Sequence, residues 1–316
     1  MNKKMKFGFI DAHADTITAV MNKKARLLQN DLHIDLKRLD EFEHPVVQVF
    51  AIYLADEHLK NAFSYANKTI DFFEEEIKTT SNIIRIAKSL DDIQENARNG
   101  INSAILALEG GEPLEGKLQN LYHFYDRGIR LITLTWNYEN ELGYGVGTES
   151  VNGLKPFGIE VVKTMNELGM IVDVSHLNKA GFWDVDKISK KPYIASHSNA
   201  NAVTPHRRNL NDKQINAIIQ KGGFIGINLY PNFIGVNNIA DINNILNHIN
   251  YFIEIGAQEV IGLGCDLDGV DSLPDGITDV LSLKSLDKIF TENYGTDISE
   301  SIMSLNFYKF LKRLYN

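Results

Sequence analysis

The sequence predicts an α/β fold, a TIM-like (β/α)8 barrel, with residues 1–316 forming a single domain that ends in a helix. Three observations carry this prediction. Eight short runs rich in β-branched and aromatic residues recur along the 316-residue chain. Amphipathic stretches separate them. No linker-like composition, internal repeat or low-complexity segment divides the chain. Strands alternating with helices form βαβ units and a parallel sheet, and eight such units close into a barrel; an open doubly wound sheet is the competing arrangement.

The strand-like runs are FGFID (7–11), VVQVFAIYL (46–54), SAILAL (103–108), RLITLTW (130–136), MIVDVS (170–175), YIASHS (193–198), FIGINL (224–229) and VIGLGCD (260–266). Helical patterns fall at 59–78, 118–127, 156–168, 179–189, 212–221 and 241–255, and a last one at 297–314 follows the barrel. Pro156 suits a first helical turn, where its missing N–H costs nothing. Gly169 and Gly222–Gly223 stand where helices should stop. The long irregular stretches 139–155 and 267–278 both follow predicted strands, the side on which barrel enzymes build their sites.

Composition narrows the function. The chain carries 41 acidic against 32 basic residues, a net charge of −9. That balance argues against nucleic-acid binding and fits a small-molecule enzyme. No apolar run reaches the roughly 18 residues of a membrane span, so no membrane association is expected. The start MNKKMKFGF shows no apolar segment before the acids begin, so a cytoplasmic location is expected rather than secretion. A single cysteine, Cys265, excludes an intramolecular disulfide and suits a reducing compartment.

Ionisable residues collect at strand ends. In HAD, His13 and Asp15 are two apart, so in extended chain both face one way, with Cα atoms roughly 6.5 Å apart. Glu109 ends SAILALE, where a carboxylate after apolar residues is costly unless paired or metal-bound. His176 ends MIVDVSH, His197 lies in YIASHS, and Asp266 ends VIGLGCD. A lone histidine at a strand end is ordinarily a hydrogen-bonded structural residue. Six ionisable groups ending five strands on the same side form a pattern that this reading does not cover. The remaining histidines show no such placement and read as surface or structural. Cys265 beside Asp266 turns away by alternation and reads as a packed core thiol.

A single catalytic zinc takes three protein ligands. His13, Asp15, Glu109, His176 and His197 make five, which divide between two metals sharing a carboxylate. Such a pair lowers the pKa of a bridging water and polarises a carbonyl. Carboxylate and imidazole without thiolate favour zinc, with manganese, cobalt and iron as alternatives.

HAD, LEGG, DVSH, SHSNA followed by HRRN, and GCDLDG together resemble the membrane dipeptidase (renal dipeptidase) family, in order from about residue 9 to the final helix. The resemblance implies a TIM-like barrel with two zinc ions that hydrolyses dipeptides, including L,D-dipeptides, through a metal-bridging hydroxide. It implies that His13 and Asp15 hold one zinc, that His176 and His197 hold the other, and that Glu109 bridges them. Asp266 corresponds to the proton-handling residue, Arg208 of HRRN to a substrate-binding arginine, and Tyr230 of NLYPN to a substrate-contacting tyrosine. Mammalian members read LTH after the fourth strand; this chain reads LTWN. Trp136 therefore stands where a histidine binds substrate, and its indole donates one hydrogen bond without becoming a cation. Asn137 beside it is a second polar candidate. With neither a signal nor paired cysteines expected, the chain is expected to differ from the anchored mammalian enzymes. Family members are often dimers, so a homodimer is implied.

Two rival readings remain at this point. Other metal hydrolases of this barrel, acting on N-acyl amino acids or lactones, commonly use an HxH pair and a lysine bridge. This chain has HAD and no lysine in LITLTWN. A catalytically inactive barrel serving as a binding protein is the other, kept by Trp136 against five filled ligand positions.

Overall fold

The computed structural model describes residues 5–315; residues 1–4 of the basic start and Asn316 lie outside the described residues. Nine parallel strands form one sheet: β1 (Ile10–Ala14), β2 (Val47–Tyr53), β3 (Ile84–Ile86), β4 (Asn102–Glu109), β5 (Ile129–Thr133), β6 (Ile171–Asp173), β7 (Ile194–Ala195), β8 (Phe224–Ile227) and β9 (Ile261–Leu263). Pairing of β2 with both β1 and β4, and of β1 with β9, closes eight of them into a barrel. This is the expected TIM-like fold. The ninth, β3, pairs with Asn102–Ala104 on the edge of β4 that β5 joins only at Leu106. Its three residues, IRI, are too short for periodicity to reveal.

The strand boundaries depart from the apolar runs. The first strand lies at Ile10–Ala14, later than the expected 7–11, and it contains Asp11 and His13. Asp11 is tolerated inside the sheet because its carboxylate accepts from the Cys265 backbone N–H at 2.8 Å and from Gln48 Nε2 at 2.8 Å. Strands β5 to β9 end before the runs that announced them. Beyond their ends polar side chains take the backbone donors that a ladder would use. Asp173 Oδ1 accepts from the N–H of Ser175 and Ser196, and Asn228 Oδ1 from that of Tyr230.

The six expected helices form as Ala62–Thr79, Leu118–Asp126, Pro156–Leu168, Lys179–Ile188, Asp212–Gln220 and Ile242–Glu254. Residues expected at the start of the first instead form a 3-10 turn, Asp56–Asn61. Caps explain the sharp starts: Asn178 accepts from Gly181 N–H, while Asn211 and Asp241 each complete a capping box. Gly169 ends its helix at φ 69°, a conformation that glycine adopts without strain. Helices Thr16–Asn22, Leu90–Arg98 and Ser282–Tyr294 form in addition to the expected ones. The last segment runs as Thr296–Glu300, a π-helical turn Ser301–Leu305, and Asn306–Tyr315. Among the described residues, no helix is long and apolar enough to cross a membrane.

The barrel interior decides where a site can be. Ile10, Val47, Ile171, Ile194 and Phe224 open their strands and pack with Phe307, Phe310, Leu311 and Leu314 of the terminal helix. That helix plugs the N-terminal end of the barrel with apolar groups. The opposite end carries the polar row Tyr53, Glu109, Thr133 and Asp173, which are register partners on β2, β4, β5 and β6. Functional side chains therefore have one mouth to gather at, at the C-terminal ends of the strands.

Candidate metal centre

Five strand ends deliver the six ionisable groups to one point. His13 reaches in from β1; Asp15, just beyond, occupies the N-cap position of helix Thr16–Asn22 but bonds none of its N–H groups. That frees its carboxylate for the centre. His13 Nε2 lies 3.5 Å from Asp15 Oδ2, 3.7 Å from Glu109 Oε1 and 3.7 Å from Asp266 Oδ1. Glu109 Oε1 lies 3.1 Å from His176 Nε2 and 3.6 Å from His197 Nε2. Ligand atoms of His13, Glu109 and His197 fall within 4.8 Å of one another, as do those of His13, Asp15 and Asp266. Glu109 and His13 are thus central to the cluster.

Several of these atoms lack hydrogen-bond partners among the described residues. The His176 and His197 rings approach with their Nε2 atoms 2.8 Å apart. Asn137 Oδ1, an acceptor, takes Nδ1–H of His176 at 2.9 Å. Ser196 Oγ lies 2.7 Å from Nδ1 of His197. Among the described residues, both nitrogens of His13 and Oδ1 of Asp15 are buried without a hydrogen-bond partner. Orphaned buried ligand atoms and facing imidazole lone pairs are what a divalent cation satisfies. The donor set, three imidazoles and carboxylates without thiolate, fits zinc and similar ions.

Electrostatics agree. Burial, and then the Asp15 charge, push the Glu109 carboxyl well above the usual carboxylate range. Burial also raises Asp266. It lowers His176 and His197, with the Arg208 and His13 charges adding to the effect. For His13, burial works downward, but Glu109, Asp15 and Asp266 overcome it and hold the imidazole at about 10. The cage demands positive charge at its centre, and a proton on His13 meets only part of that demand.

The backbone is shaped to serve this point. His176 and Asp266 sit at φ 67° and 61°, an uncommon conformation for residues with side chains. At Gly269 a Cβ would run into the carboxylates of Asp15 and Asp266, so only glycine leaves their cradle open. Gly226 and Gly264 let β8 and β9 close on the Ser196 carbonyl, where any Cβ would clash.

Above the cluster opens a cavity of about 440 Å³, lined among others by Asp15, Tyr53, Glu109, Trp136, Arg208 and Asp266. Arg208 is 5% exposed, and burial brings its guanidinium down to about 10. Its Nη2 donates to the His197 carbonyl at 3.3 Å, its guanidinium carbon stands 5.4 Å from the Phe233 ring centre, and Nε has no partner among the described residues. Tyr230 lines the same cavity, with its hydroxyl accepting from Asn232. Trp136 packs between Tyr53 and Tyr138, at 5.3 and 5.4 Å between ring centroids. Asn137 lines the cavity and also orients His176.

The structure thus gathers all ten residues singled out in the sequence around one mouth. Other residues that the sequence pattern does not single out join them. Asn228 Nδ2 donates to Asp266 Oδ2 at 2.8 Å. Asp268 accepts from Thr16 Oγ1 and from His33 N–H, tying the loop after β9 to the first helix. Asp173, an acid inside the apolar run MIVDVS, is wholly buried and was the one legible signal among them.

A family model, that of the membrane dipeptidases (peptidase family M19), matches residues 4–315. The chain belongs to this family. As an M19 member it is a metal-dependent dipeptidase, a hydrolase. An uncharacterized protein from the pqqA 5′ region of Klebsiella pneumoniae is 32% identical over 73% of the chain and 89% of its own length. An uncharacterized dipeptidase of Schizosaccharomyces pombe is 33% identical over 74% of the chain and 58% of its own length. Among solved structures, an M19 dipeptidase superposes with a TM-score of 0.91 at 26% identity, over 99% of both chains. A metallopeptidase of Rhodobacter sphaeroides gives 0.90 at 24% identity, over 98% of this chain and 99% of that one.

Proposed function

We propose that the chain hydrolyses dipeptides, L,D-dipeptides among them, with two zinc ions held by His13, Asp15, Glu109, His176 and His197. The observation that carries this reading is the convergence of three histidines on Glu109, with buried ligand atoms left unpaired. The Rhodobacter structure carries a phosphinate mimic of the dipeptide L-Ala-D-Ala, and a substrate of that class suits a cavity of about 440 Å³ with one buried arginine on its wall.

When bound, the ions polarise the scissile carbonyl and make water acidic enough to serve as nucleophile at neutral pH. The chain's own groups do the rest. Arg208 receives the C-terminal carboxylate of the substrate, and its fork geometry sets orientation and length. Asp266 has Oδ2 fixed by Asn228 and Oδ1 turned toward the cluster, so it accepts a proton from water and returns it to the leaving amine. Trp136 lines the cavity, and its indole N–H is the donor assigned to a substrate carbonyl. Tyr230 lies at the cavity rim.

A panel of L,L- and L,D-dipeptides, their C-terminal amides, N-acyl amino acids and lactones tests the reading. Hydrolysis of free dipeptides, with the amides much poorer, is the expected result. Preference for lactones or N-acyl amino acids would transfer the chain to the rival substrate class.

A further inference from the structure

Behind His197 lies a buried polar chain whose direction can be worked out atom by atom. Asp173 at the end of β6 is fully buried and accepts four hydrogen bonds. Oδ1 takes the N–H of Ser175 at 3.0 Å and of Ser196 at 2.8 Å. Oδ2 takes Thr133 Oγ1 and Ser196 Oγ, both at 2.6 Å. A serine hydroxyl has one proton. With that proton committed to Asp173, Ser196 Oγ meets His197 Nδ1 at 2.7 Å with a lone pair, so Nδ1 carries the hydrogen. The Nε2 of His197 is left bare, aimed at His176 Nε2 and Glu109.

We infer that Asp173 and Ser196 are positioning residues that fix the His197 tautomer for metal binding, through a carboxylate–hydroxyl–imidazole relay. The inference rests on His197 being a ligand, as proposed above. The three histidines of the cluster are supported unequally. His197 has a serine backed by a carboxylate, His176 has the neutral amide of Asn137, and His13 has no partner on Nδ1. An anionic group behind the imidazole raises its basicity as a ligand. The relay gives His197 an anion-backed support that the described partners of the other two rings do not provide. The Ser175 hydroxyl, which accepts the His197 backbone N–H at 3.1 Å, ties the same residue to β6.

Asp173→Asn tests this directly, because it keeps shape and reverses polarity. Its Oδ1 still accepts the two backbone N–H groups, while its amide N–H groups now donate to Thr133 and Ser196. The Ser196 proton then turns to His197 Nδ1, forcing the ring hydrogen onto Nε2. In 15N-resolved NMR of metal-free protein, wild type should show His197 protonated on Nδ1, and Asp173→Asn should show it on Nε2. In zinc titration calorimetry one of two binding events should weaken about 10- to 100-fold. Ser196→Ala, judged folded by circular dichroism, should show mixed tautomers and the same weakened event. It decides the matter if Asp173→Asn does not fold. An Nδ1–H tautomer unchanged in the folded variants, or a flipped tautomer with zinc affinity unchanged, overturns the relay. Wild-type protein with the expected tautomer that binds no zinc contradicts the metal-centre reading instead.

Discussion

The Nε2 atoms of His176 and His197 face each other at 2.8 Å, and each ring's Nδ1 hydrogen is already taken by Asn137 or Ser196. Two lone pairs at that distance repel, and a divalent ion held by these rings and the carboxylate of Glu109, 3.1 and 3.6 Å away, would relieve the repulsion. Glu109→Ala should therefore lose bound metal together with activity. Elemental analysis of the dialysed variant checks it, and a variant that retains full metal content would remove Glu109 from the centre.

Asp266 reaches the cluster beside His13, 3.7 Å from its Nε2, with Asn228 holding its other oxygen. Asp266→Asn keeps the shape and removes the proton acceptor. The expected outcome is unchanged metal content and a kcat lowered by roughly 10²- to 10⁴-fold. Full turnover in the variant would exclude a proton-transfer role.

Arg208 has an unpartnered Nε inside the cavity wall. Arg208→Met keeps much of the apolar stem over Phe233 and removes the charge. A charged hydrogen bond contributes about 1.5–3 kcal/mol, so kcat/KM for a free dipeptide should fall roughly 10- to 100-fold. The penalty for amidating the substrate's C-terminus should disappear in the variant. An amide penalty that persists would place the carboxylate elsewhere.

Trp136 and Glu109 stand between the main cavity and a neighbouring one of about 350 Å³. If Arg208 holds the carboxylate end as proposed, the N-terminal residue of a substrate falls toward this wall. Trp136→Ala should join the two spaces and raise the kcat/KM ratio of bulky over small N-terminal residues by roughly tenfold. An unchanged ratio would show that the indole does not limit substrate size.

His248 is fully buried beneath the loop that leads to HRRN, with Nδ1 accepting the Ala200 N–H at 3.2 Å. Burial lowers its pKa to about 4, against a partial upward pull from the Ile234 carbonyl. A depressed folded-state pKa gives stability that is present above the unfolded value near 6.5 and lost as pH falls through 4. The loss between pH 7 and pH 4 should be about 3 kcal/mol. Urea unfolding of metal-free wild type and His248→Gln reads it: the wild-type advantage should shrink by that amount on acidification, and a constant difference would contradict the assignment.

Much of this was legible in the chain because barrel strands are apolar until their ends, so Glu109, His176, His197 and Asp266 stood out where the runs stop. Asp11 and His13 misled the boundary of β1, since their neighbours, Cys265 N–H and Gln48 for one and the carboxylates of Glu109 and Asp266 for the other, come from distant strands that local pattern does not record. Strand β3 and helix Thr16–Asn22 were too short for periodicity to register. Asp173 was visible as an acid in an apolar run. Its meaning required Ser196, which the fold brings to it from another strand.

Metal stoichiometry tests the central claim most directly. Protein purified without chelator, then measured by elemental analysis beside an assay on an L,D-dipeptide, should hold close to two divalent ions per chain. Activity should vanish on chelation and return with zinc. Full dipeptidase activity in protein shown to be metal-free would contradict the account.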